Sequence, residues 1–304
     1  MNFIKKIYIK TFFKEQYQSL KNIEKNNKNL LIFDNKIKNK ILEIQSNILK
    51  KKTLNILHSG HCGDIISSLA LIKKLSETHE CNLFININKK IPVQYLKHPA
   101  GNVYVNEKMY KMLEPLVKYQ KYLKTVKVFN GESIDINFDL FRDFPLNINF
   151  NQARWYFHIT GVHADLSLPY LESTKHKDLN NKIIFHRTFR YRNNFINYNF
   201  LEDLKDSYFI GTRDEYYDLQ KSIKHLNFYE CKDFLDMASI INSCKFFIGN
   251  SSIAFPIAEA LKVPRILEAS PEFPVLQISG LNGYDFYFQP HFEKLFKYLN
   301  QKND

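Results

Sequence analysis

The sequence predicts an α/β fold: two doubly wound domains of parallel strands facing a cleft, with an extra helical segment at the N-terminus. Three observations carry this. From Thr53 onward, short apolar runs alternate with stretches of helical period, the pattern of a parallel sheet covered by helices. Two of those runs end in tight glycine-containing turns that open straight into helices, "LNILHSGHCGDIISSL" and "KFFIGNSSIAFPIAEAL". Between them "STKHKDLNN" (173–181) is polar, charged and without apolar periodicity, which marks a domain boundary.

Residues 1–50 are expected as a helical extension. Phe3, Ile4, Ile7, Phe12 and Phe13 come near helical spacing, with Lys5, Lys6 and Lys10 between them. Two readings stand: a helix packed on the main body, or a basic amphipathic helix lying on an anionic membrane. The packing reading is preferred because no indole anchors the apolar face. The first α/β domain is expected over 51–175. It starts with a strand at 54–58 and a helix at 65–77, followed by a strand at 81–88. Helical and aromatic material runs to 125, a short strand follows at 126–130, and "SIDINFDLFRDFPLN" alternates as a strand with a loop. A helix containing Trp155 closes it. The second domain, 176–304, opens on the strand "KIIFHR" and continues through the strands "SYFIGT", "LNFYEC", "KFFIGN" and "PRILEAS". The helices "RDEYYDLQKSI", "DFLDMASIINSC" and "SIAFPIAEAL" lie between them.

Composition narrows the class. Apolar residues make up 44% of the 304, enough for a sizeable core. Lysine and arginine outnumber aspartate and glutamate by 43 to 31, a net +12. That balance favours anionic partners, although lysines set among asparagine and isoleucine, as in "NNKNLLIFDNKIKNKILEI", also read as plain polar surface. The four cysteines (Cys62, Cys81, Cys231, Cys244) form no CxxC pair, so neither a zinc site nor a disulfide framework is expected, and reduced thiols point to the cytoplasm. No apolar run reaches the roughly 18 residues of a spanning helix.

Three constellations carry chemistry. Gly60-His61-Cys62-Gly63-Asp64 follows the first strand. It is neither GxGxxG nor a P-loop, and no acidic residue ends the next strand to hold a ribose, so a dinucleotide cofactor is not expected. Asp64 reads either as a cap of the following helix or as a carboxylate at the cleft, able to take a proton from a hydroxyl. His58 and His61 flank the same loop and are the second candidates, although a lone histidine there is more often structural. The second constellation is "IIFHRTFRYRNN", where Arg187, Arg190 and Arg192 follow a strand end and suit a diphosphate. A solvated basic loop is the alternative, and Phe189 and Tyr191 keep base stacking in view. The third is Gly249-Asn250-Ser251-Ser252, a strand end running into a helix start that offers N–H groups to an anion. Glu259 lies two turns further on the same side, placed to accept from a ribose diol.

The stretch "FFIGNSSIAFPIAEALKVPRILEAS" resembles the second-domain signature of the heptosyltransferase-like glycosyltransferases (family 9). The loop "SGHCGDIISSLALIKKL" is similar to that family's N-terminal G-x-x-G-D loop and helix, and the two occur in the family's order. The resemblance spans about 54–270. It implies a GT-B fold of two Rossmann-like domains and a metal-independent transfer of a sugar from a nucleotide-diphosphate sugar. The acceptor would be a hydroxyl of a surface glycan or a lipid-linked precursor. Asp64 would be the base. Gly60, Gly63, Arg187, Arg190, Asn250, Ser251, Ser252 and Glu259 would contact substrates. The chain departs from the pattern where the family has aspartate (Asn250 here), glycine (Ser252) and a following histidine (Ala254 or Phe255), so heptose is not assumed.

The expected partners are thus a nucleotide-sugar donor and a glycan or lipid-linked acceptor, with no bound cofactor or metal and no nucleic acid. The expected place is the cytoplasm, with the inner face of the membrane as the alternative. Two rival readings remain: a non-hydrolysing epimerase of the same fold, and an RNA-binding or structural relative.

Overall fold

A computed structural model of the chain describes residues 3–91, 101–145 and 150–302. Parts of the expected helical stretch before 125 and of "SIDINFDLFRDFPLN" lie outside the described residues. The N-terminal segment is helical throughout: α1 (Phe3–Phe12), α2 (Lys14–Ile32), one π-helical turn (Phe33–Ile37) and α3 (Lys38–Lys50). Only the last part packs. Ile37 and Ile44 are buried, and α3 lies against later elements of the first domain. No residue of α2 is buried, nor is any described side chain of α1. Among the described side chains, the expected packing on the body is therefore not found for α1 and α2.

The first sheet is formed by β1 (Thr53–His58), β2 (Glu80–Ile85), β3 (Leu123–Val128) and β4 (Ile136–Asn137), in the order β3-β2-β1-β4 and all parallel. Helix α4 (Cys62–Leu75) connects β1 to β2, and α5 (Glu107–Lys118) precedes β3. After β4 a two-turn 3₁₀ helix (Phe138–Asp143) and α6 (Gln152–Thr160) complete this half. Helix α4 begins three residues earlier than its periodicity suggested, because His61 is its N-cap.

The second sheet is formed by β5 (Ile183–His186), β6 (Ser207–Ile210), β7 (Asn227–Tyr229), β8 (Phe246–Asn250), β9 (Arg265–Glu268) and β10 (Gly283–Phe286). Its order is β10-β9-β8-β5-β6-β7, again parallel throughout. Strands β5, β8 and β9 are buried along their whole length, which explains their near-continuous apolar runs. Helices α7 (Arg213–Gln220), α8 (Phe234–Ser243), α9 (Ala254–Leu261) and α10 (Gln289–Lys302) cover the faces.

The two sheets share one core. Helix α4 packs on α9, and α5 on α8, so that Leu69, Ile72, Ile240 and Phe255 belong to a single buried cluster. A Cβ added to Gly63 would lie 3.5 Å from Pro256 Cγ, so the first turns of α4 and α9 touch. Because α4 follows the end of β1 and α9 the end of β8, this contact brings both strand ends to one seam. Open α/β sheets bind ligands outside such carboxyl ends.

The unequal burial of the N-terminal segment has a measurable consequence. Ile37→Ala is expected to lower the unfolding free energy by about 2–5 kcal/mol. Deletion of residues 1–28 is expected to shift it by no more than about 0.5 kcal/mol. Urea unfolding of the two variants checks this, and comparable losses would contradict the packing described.

Candidate active site

The first half of the site grows from the end of β1. His61 and Asp64 form a reciprocal capping box on α4: the His61 amide donates to Asp64 Oδ2 at 3.1 Å. Asp64 also accepts from Arg142 Nη2 at 2.9 Å and from the Gln152 amide on its other oxygen. Arg142 reaches onward with Nη1 to Asp139 Oδ1 at 2.7 Å, and Asp139 further accepts from Lys89 Nζ at 2.8 Å and from the Ser59 amide at 3.0 Å. The guanidinium lies over the rings of Phe141 and Tyr104 at 4.3 and 4.7 Å. Two carboxylates and two cations thus form a compensated cluster. Asp139 is 8% exposed and Asp64 18%, so Asp64 is the carboxylate that solvent or a substrate can reach. Burial pushes the Asp139 carboxyl up, but the charges of His58 and Arg142 and the Lys89 and Ser59 donors outweigh it and hold it below its usual range.

Gly60 is required at this turn. A Cβ there would sit 2.4 Å from Arg142 Nη2 and 2.6 Å from Asp64 Oδ2, inside the ion pair. Beneath it, the Gly60 amide donates to His58 Nδ1 at 2.9 Å, so the ring proton is on Nε2 and faces the Tyr156 hydroxyl at 2.9 Å. Tyr156 in turn donates to the Asp64 carbonyl at 3.1 Å. Burial, then the Arg142 charge, lowers the pKa of His58 to about 4, so this fully buried imidazole is neutral near pH 7. His61 Nδ1 lies 3.1 Å from the Tyr104 carbonyl, and burial lowers its pKa as well. The Arg190 charge of the second half adds a smaller lowering at His61.

On the other side of the seam, the residues singled out in the sequence divide into two groups. Asn250 is fully buried, and its side chain is spent on the β5 loop. Oδ1 accepts from the Thr188 amide at 3.1 Å, while Nδ2 donates to the carbonyls of Thr188 and Arg190 at 2.9 and 2.8 Å. It staples that loop and has no donor or acceptor left for a ligand. Arg187 is likewise committed. It makes a bidentate pair with Glu268, at 2.6 and 2.9 Å, and Glu268 also receives the Asn193 amide and the Tyr198 hydroxyl. A guanidinium neutralised by a fully buried carboxylate is not available to a diphosphate. Arg190 has no ion pair among the described residues and lies 5.1 Å from the Tyr191 ring centroid. The Ser251 and Ser252 hydroxyls, in the turn before α9, bond to no protein group among the described residues.

Glu259 requires a correction. Its Oε2 accepts from Arg265 Nε at 2.6 Å, and its Oε1 from Lys262 Nζ and from the Ser279 amide at 3.1 Å. The adjoining cavity, lined in part by Ser67, Tyr170 and Pro256, holds about 10 Å³. That is no more than the space of one water. The ribose role expected for Glu259 gains no support: its carboxylate is only 9% exposed and is turned to Arg265, Lys262 and the Ser279 amide within the protein.

Sequence reasoning missed Arg142, Asp139, Gln152 and Tyr156. A signal existed for each pair: Asp139 and Arg142 are three apart within "FDLFRD", and Gln152 and Tyr156 are four apart on α6, so each pair shares a helical face.

With this geometry described, comparison with known proteins bears on the fold. No protein-family model matches the chain, and no curated protein matches it. Among solved structures, it is similar to a family 9 glycosyltransferase from Veillonella parvula, with a TM-score of 0.54 and 12% identity over 77% of this chain and 86% of that one. The chain has a GT-B fold. Similarity is also found to the E. coli heptosyltransferase WaaC, solved with ADP-2-deoxy-2-fluoro heptose (TM-score 0.46, 11% identity, 83% of this chain and 100% of that one). A Listeria monocytogenes structure described as a UDP-N-acetylglucosamine 2-epimerase gives 0.40 at 9% identity, over 71% and 79%.

His58 makes the stability of this half depend on pH. Its unfolded pKa is near 6.5 and its folded pKa about 4, so between these values the unfolded chain binds the proton and the folded chain does not. Stability therefore falls as pH drops from 6.5 toward 4, by about 3 kcal/mol from His58. Asp139 has a depressed folded pKa, so its contribution is lost only lower, as pH falls through that value. Urea unfolding at pH 7 and pH 4.5 is expected to show a smaller drop for His58→Gln than for the parent. His61 and His186, lowered by burial too, keep the variant's profile from being flat. An unchanged drop would contradict the buried neutral His58.

Proposed function

We propose that the chain is a glycosyltransferase that moves a sugar from a nucleotide-diphosphate sugar to a hydroxyl of a surface glycan or lipid-linked precursor, without a metal ion. The observation that carries this is Asp64. Its carboxylate, held by Arg142, Gln152 and the His61 amide, is the exposed member of the cluster, at the seam between the halves. In this reading residues 51–175 serve the acceptor and 176–304 the donor, with 1–50 as an extension. The acceptor hydroxyl attacks the anomeric carbon as the bond to the diphosphate breaks, and Asp64 takes the hydroxyl proton. Arg190, Ser251, Ser252 and the N–H groups at the start of α9 face the negative charge that develops on the leaving diphosphate. Arg142 positions Asp64 and, through Asp139, the Ser59–Gly60 turn. His61 is second to Asp64 as a base.

A transfer assay over a panel of nucleotide sugars, run in excess EDTA, tests this. Asp64→Asn is expected to lower kcat by 10²–10⁴-fold, with donor KM nearly unchanged. Asp139→Asn also removes a carboxylate from Arg142, but it is expected to lower stability far more than turnover. Wild-type turnover in Asp64→Asn, or activity that returns only on adding a divalent ion, would contradict the proposal.

A further inference from the structure

The charge of this protein is unevenly placed. Residues 1–52 hold thirteen lysines against four acidic residues, so that +9 of the net +12 lies in this segment. The part that projects, α1 and α2, also carries the most exposed run of apolar side chains. Ile7 is 51% exposed, Phe12 68%, Ile23 53% and Leu31 63%, with Tyr8, Phe13 and Leu30 similarly open. The rings of Tyr8, Phe12 and Phe13 gather at the break between α1 and α2, 5.1 and 5.9 Å apart.

The arrangement along α2 is ordered. Tyr17, Leu20, Ile23, Leu30 and Leu31 fall on one face of the helix. Lys14, Lys21, Lys25 and Lys28 follow at i, i+7, i+11 and i+14, a single row beside that face, and all four are exposed. Glu15 and Glu24 are the only acids between residues 3 and 32. An apolar stripe bordered by lysines is the pattern of a helix lying in a membrane interface, where the stems cross apolar ground and the ammonium groups reach headgroup phosphates.

We infer that α1 and α2 form an arm that docks on the surface of a bilayer rich in anionic phospholipid. Charge decides among occupants. A second copy would bring an equally positive arm, and like charges repel. Nucleic acid would satisfy the lysines and stack on the rings, but Ile7, Ile23, Leu30 and Leu31 have no use for a base; they require an apolar phase. None of the helices described is long and apolar enough to cross a membrane, so the arm lies on the bilayer. Its root bears on the site: the π-helical turn packs against the 3₁₀ turn that carries Asp139 and Arg142, and Lys40 pairs with Asp143 at 3.5 Å. Docking the arm brings that half of the seam to the membrane. The inference does not depend on the transferase reading, since it stands on the arm alone.

The test is co-sedimentation of the full chain with vesicles of phosphatidylcholine, and of phosphatidylcholine with 30% phosphatidylglycerol. Strong pelleting is expected with the anionic vesicles at 0.1 M salt, weak pelleting with neutral ones, and at least a tenfold loss at 0.5 M salt. Each lysine near such a surface contributes about fivefold, so the triple variant Lys14→Glu, Lys21→Glu, Lys25→Glu should partition at least roughly a hundredfold less. The double variant Phe12→Ser, Ile23→Ser should also release the protein. None of these five positions is buried, so thermal midpoints and donor binding should match the parent. Pelleting that is unaffected by the triple variant would overturn the inference. So would failure to bind either vesicle, whether accompanied by self-association through the arm or by salt-sensitive capture of RNA.

Discussion

Everything on the first-domain side of the seam depends on Arg142 standing between Asp64 and Asp139. Without it, two carboxylates would face each other in a half-buried space and the Ser59–Gly60 turn would lose its anchor. With it, and with Lys89 on the far side, the charges cancel. Such a cluster is weak evidence for stability, since removing four charges from water costs about as much as their attraction returns. What it supplies is position. Asp64 is fixed on one oxygen by Arg142 and the His61 amide and on the other by Gln152, while the His58–Tyr156 chain holds the backbone beneath it. The absence of a side chain at Gly60 is the space in which the pair forms.

The second-domain side is built by the same device with different residues. A buried carboxylate, Glu268, takes Arg187 and draws the β5 loop inward, and Asn250 pins that loop by its backbone. Arg190 is left as the one arginine of the loop without a carboxylate partner among the described residues, against the Tyr191 ring. A third ion pair, Glu259 with Arg265 and Lys262, locks the end of α9 to the segment before β10. Three residues that resemble ligand contacts in the sequence are thus engaged within the protein, while Ser251, Ser252 and Arg190 make no ion pair or side-chain hydrogen bond to other described residues.

The fold was largely legible because its strands are short, continuous apolar runs and its turns carry glycine. The strand "KFFIGN" and the helix after it are where the sequence placed them. Other elements gave no period to read: β4 is two residues long, and the 3₁₀ helix after it has only six. Helix α10 was legible in principle, since Phe292, Leu295, Phe296 and Leu299 form a plain helical stripe, but the sequence reading stopped at Ser270. The site was legible only in outline. Gly60, Asp64 and the Ser251–Ser252 turn announce themselves by local spacing. The commitment of Arg187 to Glu268, 81 positions away, does not, and no local pattern tells a neutralised arginine from a ligand-binding one. The N-terminal stripe misled for a related reason: an amphipathic helix shows that it has an apolar partner, but not whether the partner is protein.

The central claim is that one seam holds a proton-accepting carboxylate on one side and a diphosphate site on the other. Calorimetric titration with a panel of nucleoside diphosphates tests the second half of it directly. The account predicts that the parent binds one of them, that Asp64→Asn binds it equally well, and that Arg190→Ala loses roughly 10- to 100-fold in affinity, the worth of a charge-assisted hydrogen bond. Absence of binding by the parent, or parental affinity in Arg190→Ala, would contradict it.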